Sequence, residues 1–515
     1  MMGHLQPIHR PAPAPEVKVG ASPSESISAE DHGRLLRRID LWCFTLSQSE
    51  PTDLLPVMAI SYMFQFLDKT ALGFTAILGL PQALHLSGLA FSWASGVYYA
   101  GYLIATYPAG IIMVKWKVGK TIACSAALWG ITLMLTAVVS NAAGLIAVRF
   151  FLGVFEAPIA PGLTVIVSMW FKRNEQPLRQ TAWFLGNTTA GIVGALVAYA
   201  IGHIQGIATW KAVFIIFGAF TTAWSVGLFW LLPDVPMTAW FLSPPDRVKA
   251  VARVKDNMTG IKNDEFKWRQ FREAILDINA WSIVLITMTM NMSNGGLLSF
   301  NSIVLEGLGF DRLKTLLLQS ATYLFQLFLV LVCATMSSRL KNKRLLLMVL
   351  NFLLSIIGCA LVRQLPAHLK WPRYVGYILT IAFSANYPLI LSVVSANVSG
   401  FTKKVTVTSM VSVPCLSVHP DAKQKQVVMS YCAGNIIGPQ FFIEAEAPSY
   451  NSAFLAVMMC FGISAVLCLV LRFSLSRQNR ARDQVQVMQG HEVDNSALNL
   501  LDKTDKELPT FRYVY

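Results

Sequence analysis

Residues 149–162 decide the fold and read Arg-Phe-Phe-Leu-Gly-Val-Phe-Glu-Ala-Pro-Ile-Ala-Pro-Gly. The first part of this stretch is apolar except for Arg149 and Glu156, which carry opposite charges. They are about two helical turns apart at roughly 3.6 residues per turn, so both side chains leave one helix face about 10 Å apart. A charge inside a membrane-spanning helix costs roughly 2.5 to 3.5 kcal/mol, and such charges are usually functional. We interpret this helix as the lining of a polar path through a membrane.

The composition of the whole chain supports that interpretation. Of 515 residues, 54% are hydrophobic and 14% are charged, against about 25% charged in an average soluble protein. The mean hydropathy is +0.51. The net charge of +14 does not indicate nucleic-acid binding, because the lysines and arginines lie in short clusters between apolar segments, as orientation signals do. The chain is therefore an all-α polytopic membrane protein.

Apolar runs near 20 residues, the length that crosses a bilayer, predict twelve spans. They lie at 54–78, 91–113, 120–140, 143–168, 179–203, 210–232, 281–305, 314–337, 344–364, 373–397, 427–443 and 450–472. The first six form an N-terminal bundle over 54–232, and the last six form a C-terminal bundle over 281–472. Residues 1–53, 233–280 and 473–515 are the N-terminal tail, the middle loop and a solvated C-terminal tail.

The charges of the loops predict the orientation of the chain. Alternate loops carry clusters of lysine and arginine, for example around 115–120, 172–179 and 339–344, whereas those near 80–90, 140–143 and 444–450 carry none. Positive loops stay in the cytosol. We therefore expect both termini and the middle loop to be cytosolic.

Several short motifs carry a family resemblance. They are Phe66-Leu-Asp-Lys-Thr-Ala-Leu72, the Arg149 stretch, Glu175-Gln-Pro-Leu-Arg179, Leu232-Pro-Asp234, Thr238-Ala-Trp-Phe-Leu242, Asn294-Gly-Gly296, Thr402-Lys-Lys404 and Gly434-Asn-Ile-Ile-Gly-Pro-Gln440. Together they resemble the fungal allantoate permease branch of the anion:cation symporter family, within the major facilitator superfamily. The resemblance covers about residues 34–482.

The resemblance implies the major facilitator fold, with 12 transmembrane helices in two six-helix bundles. It also implies a plasma-membrane importer of a small organic anion by proton symport and alternating access. The substrates of such permeases are allantoate, ureidosuccinate, dipeptides or vitamin acids such as nicotinate and pantothenate. We expect a monomer whose partners are the anion, the proton and the lipid bilayer, with no nucleic acid, cofactor or metal.

Two stretches depart from the pattern of that branch. Residues 43–53 separate a basic cluster from span one, and residues 412–426 divide the eleventh apolar region. The second stretch includes His419, Asp421 and Lys423, which cannot face lipid. We interpret both stretches as retained introns translated in frame, or as errors in the gene structure. An interrupted span eleven leaves a second hypothesis open, that the chain is a non-transporting receptor or an inactive relative.

In span four, Arg149 is the first candidate for holding the anion. A guanidinium stays charged and grips a carboxylate through two parallel hydrogen bonds. Glu156 is a candidate proton carrier, because a neighbouring arginine that is occupied by substrate would favour protonation of the carboxylate. The alternative for both residues is a permanent Arg149–Glu156 ion pair that only stabilises the helix.

In span one, Asp68 and Lys69 are adjacent, so their side chains point about 100° apart on a helix. We expect one to face the cavity and the other a neighbouring helix. Lys69 is then a second contact for the anion and Asp68 a proton-coupling residue. The alternative for both is a structural ion pair between helices.

Four asparagines are candidates for substrate contacts in the second half of the chain. Asn291 and Asn294 precede a Gly-Gly pair in span seven, where the helix can bend as in the broken helices of transporters. Asn386 in span ten and Asn435 in span eleven are weaker candidates. Tyr98 and Tyr102 of span two share a face; they are candidates for lining the cavity, but we expect ordinary helix packing.

A membrane enzyme is a further rival to these hypotheses. The chain has neither the HExxH spacing of a zinc protease nor the GxSxG turn of a serine hydrolase, and its eight histidines are scattered. The sequence therefore predicts a transporter rather than an enzyme.

Overall fold

The computed structural model describes residues 54–171, 176–234, 236–239, 243–245, 247–248, 250, 267–340, 342–411, 430–489, 503–508 and 511–515. The two stretches interpreted as introns, 43–53 and 412–426, lie outside these residues. So do the rest of the N-terminal tail and much of the middle loop. Every regular element in the described residues is a helix.

The N-terminal half contains spans one to six. Its helices are α1 (Leu54–Ile77), the short α2 (Leu80–Ala83), α3 (Ala90–Lys115), α4 (Val118–Leu135), α5 (Ala142–Glu156), α6 (Ile159–Trp170), α7 (Gln176–Ile201) and α8 (Thr209–Leu231). A 3₁₀ turn at Thr136–Val138 extends α4. Span four consists of α5 and α6, which Ala157 and Pro158 separate.

The C-terminal half contains spans seven to twelve. Its helices are α9 (Trp268–Leu276), α10 (Ile278–Gly307), α11 (Arg312–Arg339), α12 (Arg344–Gln364), α13 (Lys370–Thr380), α14 (Asn386–Asn397), α15 (Phe401–Val411), α16 (Ser430–Ile437) and α17 (Asn451–Gln489). A 3₁₀ turn at Ile381–Ala385 joins α13 to α14, and another at Gly438–Phe441 follows α16. Shorter 3₁₀ turns lie at Pro236–Thr238 and Glu444–Glu446.

Eleven of the twelve predicted spans lie largely in helices, and the all-α membrane fold is confirmed. The exception is span eleven, predicted at 427–443, where the described residues form only the short helix α16 and the 3₁₀ turn that follows it. Eight helical segments of the described residues are long and apolar enough to cross a membrane by themselves. Neither α1 nor α3 is among them. Polar side chains such as Gln65 and Asp68 lower the hydropathy of α1, and α3 is rich in tyrosine, glycine and serine. These two spans are polar because they border the centre of the molecule.

The two halves repeat one packing pattern. Spans one, two and three pack on spans five, four and six, and spans seven, eight and nine pack on spans eleven, ten and twelve. Between the halves, span one meets span seven, span two meets span eleven, and span five meets span eight. If six is added to each span number, and the count continues from span twelve to span one, the same pairs of contacting spans are obtained. A pseudo-two-fold axis therefore relates the bundles.

Glycines allow the closest approaches between spans. A Cβ atom on Gly153 of α5 would lie 2.0 Å from the carbonyl oxygen of Tyr98 in α3. A Cβ atom on Gly438, after α16, would lie 2.0 Å from the carbonyl oxygen of Met292 in α10. Such distances leave no room for any larger residue, so these spans pack backbone against backbone.

We call the side of the molecule where α1 begins and α3 ends the termini face, and the opposite side the far face. Contacts between the bundles are dense toward the far face. The ring of Phe91 in α3 lies 5.2 Å from that of Phe300 in α10, which stacks on Phe442 at 4.6 Å. The amide of Gly88 also donates to the Glu444 carboxylate. The structure is therefore closed at the far face.

The C-terminal tail differs from the solvated end that the sequence predicts. Helix α17 continues to Gln489, well past the predicted end of span twelve at 472. Beyond it, Thr504 and Tyr513 are buried against the C-terminal half. Composition alone predicted exposure because the tail is polar, but its polar groups have partners in the fold.

Replacing Gly153 by alanine is expected to destabilise the protein by about 1 to 3 kcal/mol, the usual result of overpacking. The melting temperature of purified protein in detergent measures this effect. Gly462→Ala is the matched control, because a Cβ atom at Gly462 meets no other group within 4 Å. The control should be neutral or stabilising, since alanine favours a helix by about 1 kcal/mol over glycine. Equal melting temperatures for the two variants would contradict the packing described.

Candidate substrate and proton site

Asp68 lies in the middle of α1 and is completely buried. Its carboxylate accepts hydrogen bonds from the indole of Trp129 in α4 and, at 3.1 Å, from the hydroxyl of Thr221 in α8. Both donors are neutral, and among the described residues no ion pair includes Asp68. The side chain therefore points into the N-terminal bundle, where spans one, three and six meet.

Lys69 points the other way, as the adjacent positions predict. Its ammonium lies 3.0 Å from a carboxylate oxygen of Glu156 in α5, at ion-pair distance but without the angle of a hydrogen bond. The Lys69 side chain is 12% exposed and that of Glu156 is fully buried. Glu156 thus pairs with span one rather than with Arg149, so the permanent Arg149–Glu156 pair that the sequence left open does not form here.

Arg149 is a buried cation without an ion-pair partner among the described residues. It is 3% exposed, and its Nε and Nη2 groups have no hydrogen-bond acceptor. Its guanidinium carbon lies 5.7 Å from the centre of the Phe214 ring in α8. A buried guanidinium with unused donors is the kind of group that binds a carboxylate or phosphate in two-pronged fashion.

The four ionisable groups of spans one and four balance one another. Arg149 and Lys69 supply two positive charges, and Asp68 and Glu156 supply two negative charges when ionised. Glu156 and Lys69 neutralise each other directly, whereas Asp68 and Arg149 each lack an ion-pair partner. Adding an anion at Arg149 would leave the cluster one charge negative, and adding a proton at a carboxylate would restore neutrality.

Tyrosines surround Lys69. Its ammonium lies 5.7 Å from the ring centre of Tyr98 and 6.0 Å from that of Tyr102, both in α3. Tyr99 of the same helix contacts Tyr431 of α16 across the two bundles, with ring centres 5.8 Å apart. Tyr98 and Tyr102 thus lie next to the Lys69–Glu156 pair as well as between helices.

A hydrogen-bonded amide cluster from the C-terminal bundle lies opposite. Asn435 of α16 donates to Asn291 of α10 at 3.1 Å, and Asn294 donates to Asn435 at 2.9 Å. The hydroxyl of Tyr387 in α14 also donates to Asn291. Three of the four predicted asparagines thus form one polar network at the junction of spans seven, ten and eleven.

The fourth predicted asparagine, Asn386, lies elsewhere. It accepts a hydrogen bond from Asn351 of α12 at 2.8 Å and donates to the Met348 carbonyl at 3.3 Å. These partners are in span nine, so Asn386 fastens span ten to span nine instead of joining the amide cluster. Its neighbour Tyr387 reaches the cluster, because successive residues of a helix point about 100° apart.

Sequence reasoning missed Tyr387, Tyr431, Trp129 and Thr221. Nothing in the spacing of these residues separates them from ordinary packing residues. For Tyr387 and Tyr431 one signal was available, because a hydroxyl inside an apolar helix usually has a polar partner.

Comparison with known proteins places the chain among transporters. The sequence profile of the Major Facilitator Superfamily matches residues 58–413. An uncharacterized transporter of Schizosaccharomyces pombe is 34% identical, over 94% of this chain and 88% of the relative. The allantoate permease of Saccharomyces cerevisiae is 30% identical, over 89% of this chain and 84% of the permease. A thiamine pathway transporter of the same yeast is 29% identical, over 94% of this chain and 86% of that transporter.

Solved structures with the same fold are also transporters. The inward open conformation of the xylose transporter XylE from E. coli superposes with a TM-score of 0.61 at 10% identity, over 81% of this chain and 94% of that one. A bacterial homolog of the human lysosomal transporter Spinster, inward-facing and unoccupied, superposes with a TM-score of 0.57 at 14% identity, over 81% of this chain and 97% of that one. At these identities the likeness shows the fold alone.

The Lys69–Glu156 pair yields a test of the site geometry. Glu156→Gln leaves a buried lysine unpaired and is expected to destabilise the protein by about 3 kcal/mol or more. The double variant Lys69→Met with Glu156→Gln removes both charges and should recover most of that loss. Melting temperatures in detergent measure the difference. A double variant that is less stable than the single one would mean that the two residues do not pair.

Proposed function

The chain belongs to the Major Facilitator Superfamily and is a multi-pass membrane transporter, and on that premise we propose that it imports a small organic anion together with a proton. The observation that carries this proposal is the buried guanidinium of Arg149, whose Nε and Nη2 groups have no acceptor. An anion that left water for this site would gain two charge-assisted hydrogen bonds.

The proposed anion contacts come from both bundles. Arg149 holds the carboxylate and Lys69 attracts it from the adjacent span, where the substrate competes with Glu156 for the ammonium. Asn291, Asn294 and Asn435 offer hydrogen bonds to the rest of the substrate. Because one chain supplies both sides of this site, we propose that it works as a monomer.

Proton coupling follows from charge balance. With four ionised groups the cluster is neutral, so a monovalent anion enters most easily with one proton. Asp68 and Glu156 are the proposed acceptors of this proton. Asp68 suits the role because it is fully buried and has no ion-pair partner among the described residues, only the neutral donors Trp129 and Thr221. The pair Arg149 and Asp68 then gains an anion and a proton in one step.

The direction of transport follows from the loop charges. We propose that the termini face is cytosolic, since its loops carry the lysine and arginine clusters. The far face, which is closed here, is then the extracellular side of an alternating-access cycle. The plasma membrane is the proposed location, by analogy with the permeases that the sequence resembles.

The substrate class rests on the relatives. An allantoate permease is among them, and allantoate, ureidosuccinate, dipeptides and vitamin acids such as nicotinate all carry the carboxylate that Arg149 would bind. We propose a substrate of this size with one carboxylate. The amide cluster favours one that also has hydrogen-bonding groups.

The second hypothesis, an inactive relative with an interrupted span eleven, is weakened by one contact. The hydroxyl of Ser430, at the start of α16, donates to the carbonyl of Met410 near the end of α15 at 2.7 Å. Residues 410 and 430 are therefore neighbours in space, although 19 residues separate them in sequence. We propose that α15 and α16 belong to one membrane span, span eleven.

Arg149 and Asp68 test the transport mechanism. Arg149→Ala is expected to lower uptake of labelled allantoate and nicotinate at least tenfold, the loss of about 1.4 kcal/mol expected from a charged hydrogen bond. Asp68→Asn should bind the anion but abolish the acceleration of uptake by external acid. The assay uses cells that lack their own permeases, over a range of external pH. Arg149→Ala with full acid-driven uptake at unchanged affinity would contradict the proposal.

Deleting residues 412–426 tests the continuity of span eleven. The deletion brings Met410 and Ser430 to five positions apart, about 1.4 turns at 3.6 residues per turn, so a continuous helix can form. The variant is expected to keep or raise the melting temperature and to transport at least as well as the full chain. A deletion variant that fails to fold would show that the inserted segment is an essential part of the protein.

A further inference from the structure

Residues 503–508 and 511–515, which we call the strap, lie on the termini face of the C-terminal half. Thr504 is 0% exposed, and Asp505 and Tyr513 are each 2% exposed. The strap contacts α9, the loop between spans ten and eleven, and the long helix α17. It is therefore a docked element rather than a free end.

Two asparagines bind the backbone of the strap. Asn397, the last residue of α14, donates to the carbonyl of Val514 and accepts from its amide, both at 2.7 Å. Asn479 of α17 binds Tyr513 in the same reciprocal way, at 2.8 and 2.9 Å. A side-chain amide that both donates to and accepts from one residue fixes the position and direction of that segment. The strap thus spans the gap between α14 and α17.

Lys403 binds the acidic part of the strap. Its ammonium is 1% exposed and lies 2.7 Å from Asp505, 2.8 Å from Asp277 and 2.9 Å from Glu273. These three carboxylates come from the strap, the start of α10 and the helix α9. The Thr402-Lys-Lys404 motif, which the transport site leaves without a role, therefore supplies the cation that joins three segments.

Tyr513 completes the docking. Its hydroxyl donates to Asp505 at 2.7 Å, and the guanidinium of Arg482 lies 4.6 Å from its ring centre. Burial raises the pKa of the Tyr513 phenol, and the neighbouring Asp505 raises it further. The phenol therefore stays protonated and remains a donor throughout the physiological pH range.

The strap holds a helix that also reaches the transport site. At its beginning α14 carries Tyr387, which donates to Asn291 of the amide cluster, and at its end it carries Asn397, which the strap binds. Asn397 lies ten positions after Tyr387, a rise of about 15 Å along the helix. The 3₁₀ turn at Ile381–Ala385 precedes α14, and such a turn within a span often marks a hinge.

We propose that the strap is an autoinhibitory element of the transporter. When docked, it fixes the end of α14 and slows the rearrangement that α14 must undergo as the site opens and closes. When released, it allows α14 to turn about the hinge at 381–385. If docking of the strap lowers the affinity for a substrate that moves Tyr387, then by linkage the bound substrate weakens docking of the strap by the same factor.

The test uses the full-length double variant Asn397→Leu with Asn479→Leu, which removes four hydrogen bonds at nearly constant side-chain size. Ser395→Ala is the matched control, because Ser395 is exposed on α14 and its hydroxyl donates to Ser392 within the helix. Amide hydrogen exchange of 503–515 and of 386–397 is measured for both proteins. Initial uptake rates of labelled allantoate and nicotinate are measured at equal surface levels. A variant that lacks 503–515 repeats both measurements.

In the double variant we expect faster exchange in both segments and a maximal uptake rate raised about fivefold, the lower end of typical allosteric coupling. The control should match the unmodified protein. Unchanged exchange in 386–397 after release or deletion of the strap would overturn the proposal even if neither probe anion is carried. An unchanged or lower uptake rate with a released strap would overturn it as well.

Discussion

The structure depends on one constraint, the neutrality of a group of charges that apolar helices enclose. Asp68, Lys69, Arg149 and Glu156 lie where an unbalanced charge would cost several kcal/mol. Two of them pair directly, as the 3.0 Å contact between Lys69 and Glu156 shows. The other two, Asp68 and Arg149, have no ion-pair partner among the described residues. Each can therefore take a new partner without breaking an existing ion pair. We propose that the same constraint that stabilises the N-terminal bundle makes it responsive to an anion and a proton.

The two bundles divide the work of the proposed site. The N-terminal half supplies the charges, whereas the C-terminal half supplies neutral amides and the phenol of Tyr387, as the Asn291–Asn435 network shows. In our proposal, the charges set the coupling between anion and proton, and the amides form hydrogen bonds with the rest of the substrate. Backbone-to-backbone packing at glycines such as Gly153 fixes neighbouring spans of one bundle against each other. Two bundles with a polar boundary between them are suited to movement against each other.

Much of this arrangement was readable from the sequence. Apolar run lengths located eleven of the twelve spans, because the thickness of a bilayer leaves little freedom. Buried charges stood out in spans one and four, because charge is rare in apolar helices. The choice of partner was not readable. Glu156 pairs with Lys69 rather than Arg149 because helix rotation and packing decide which faces meet, and the spacing within one helix says nothing about its neighbours.

Other differences have similar causes. The amide of Asn386 was the more polar candidate in span ten, yet Tyr387 faces the network, because the orientation of span ten was unknown from sequence. The C-terminal tail was expected to be solvated from its composition. It is docked because Asn397, Asn479 and Lys403 satisfy its polar groups, and long-range partners of this kind leave no local pattern.

The most direct test of the central claim is transport by the purified chain in sealed lipid vesicles, with the pH gradient and the membrane potential imposed separately. Labelled allantoate and nicotinate serve as probes. If a monovalent anion and one proton move together, an inward pH gradient alone should drive accumulation, and a potential of either sign should leave the rate unchanged. Accumulation that is driven by the potential alone, or that ignores the pH gradient, would contradict the account.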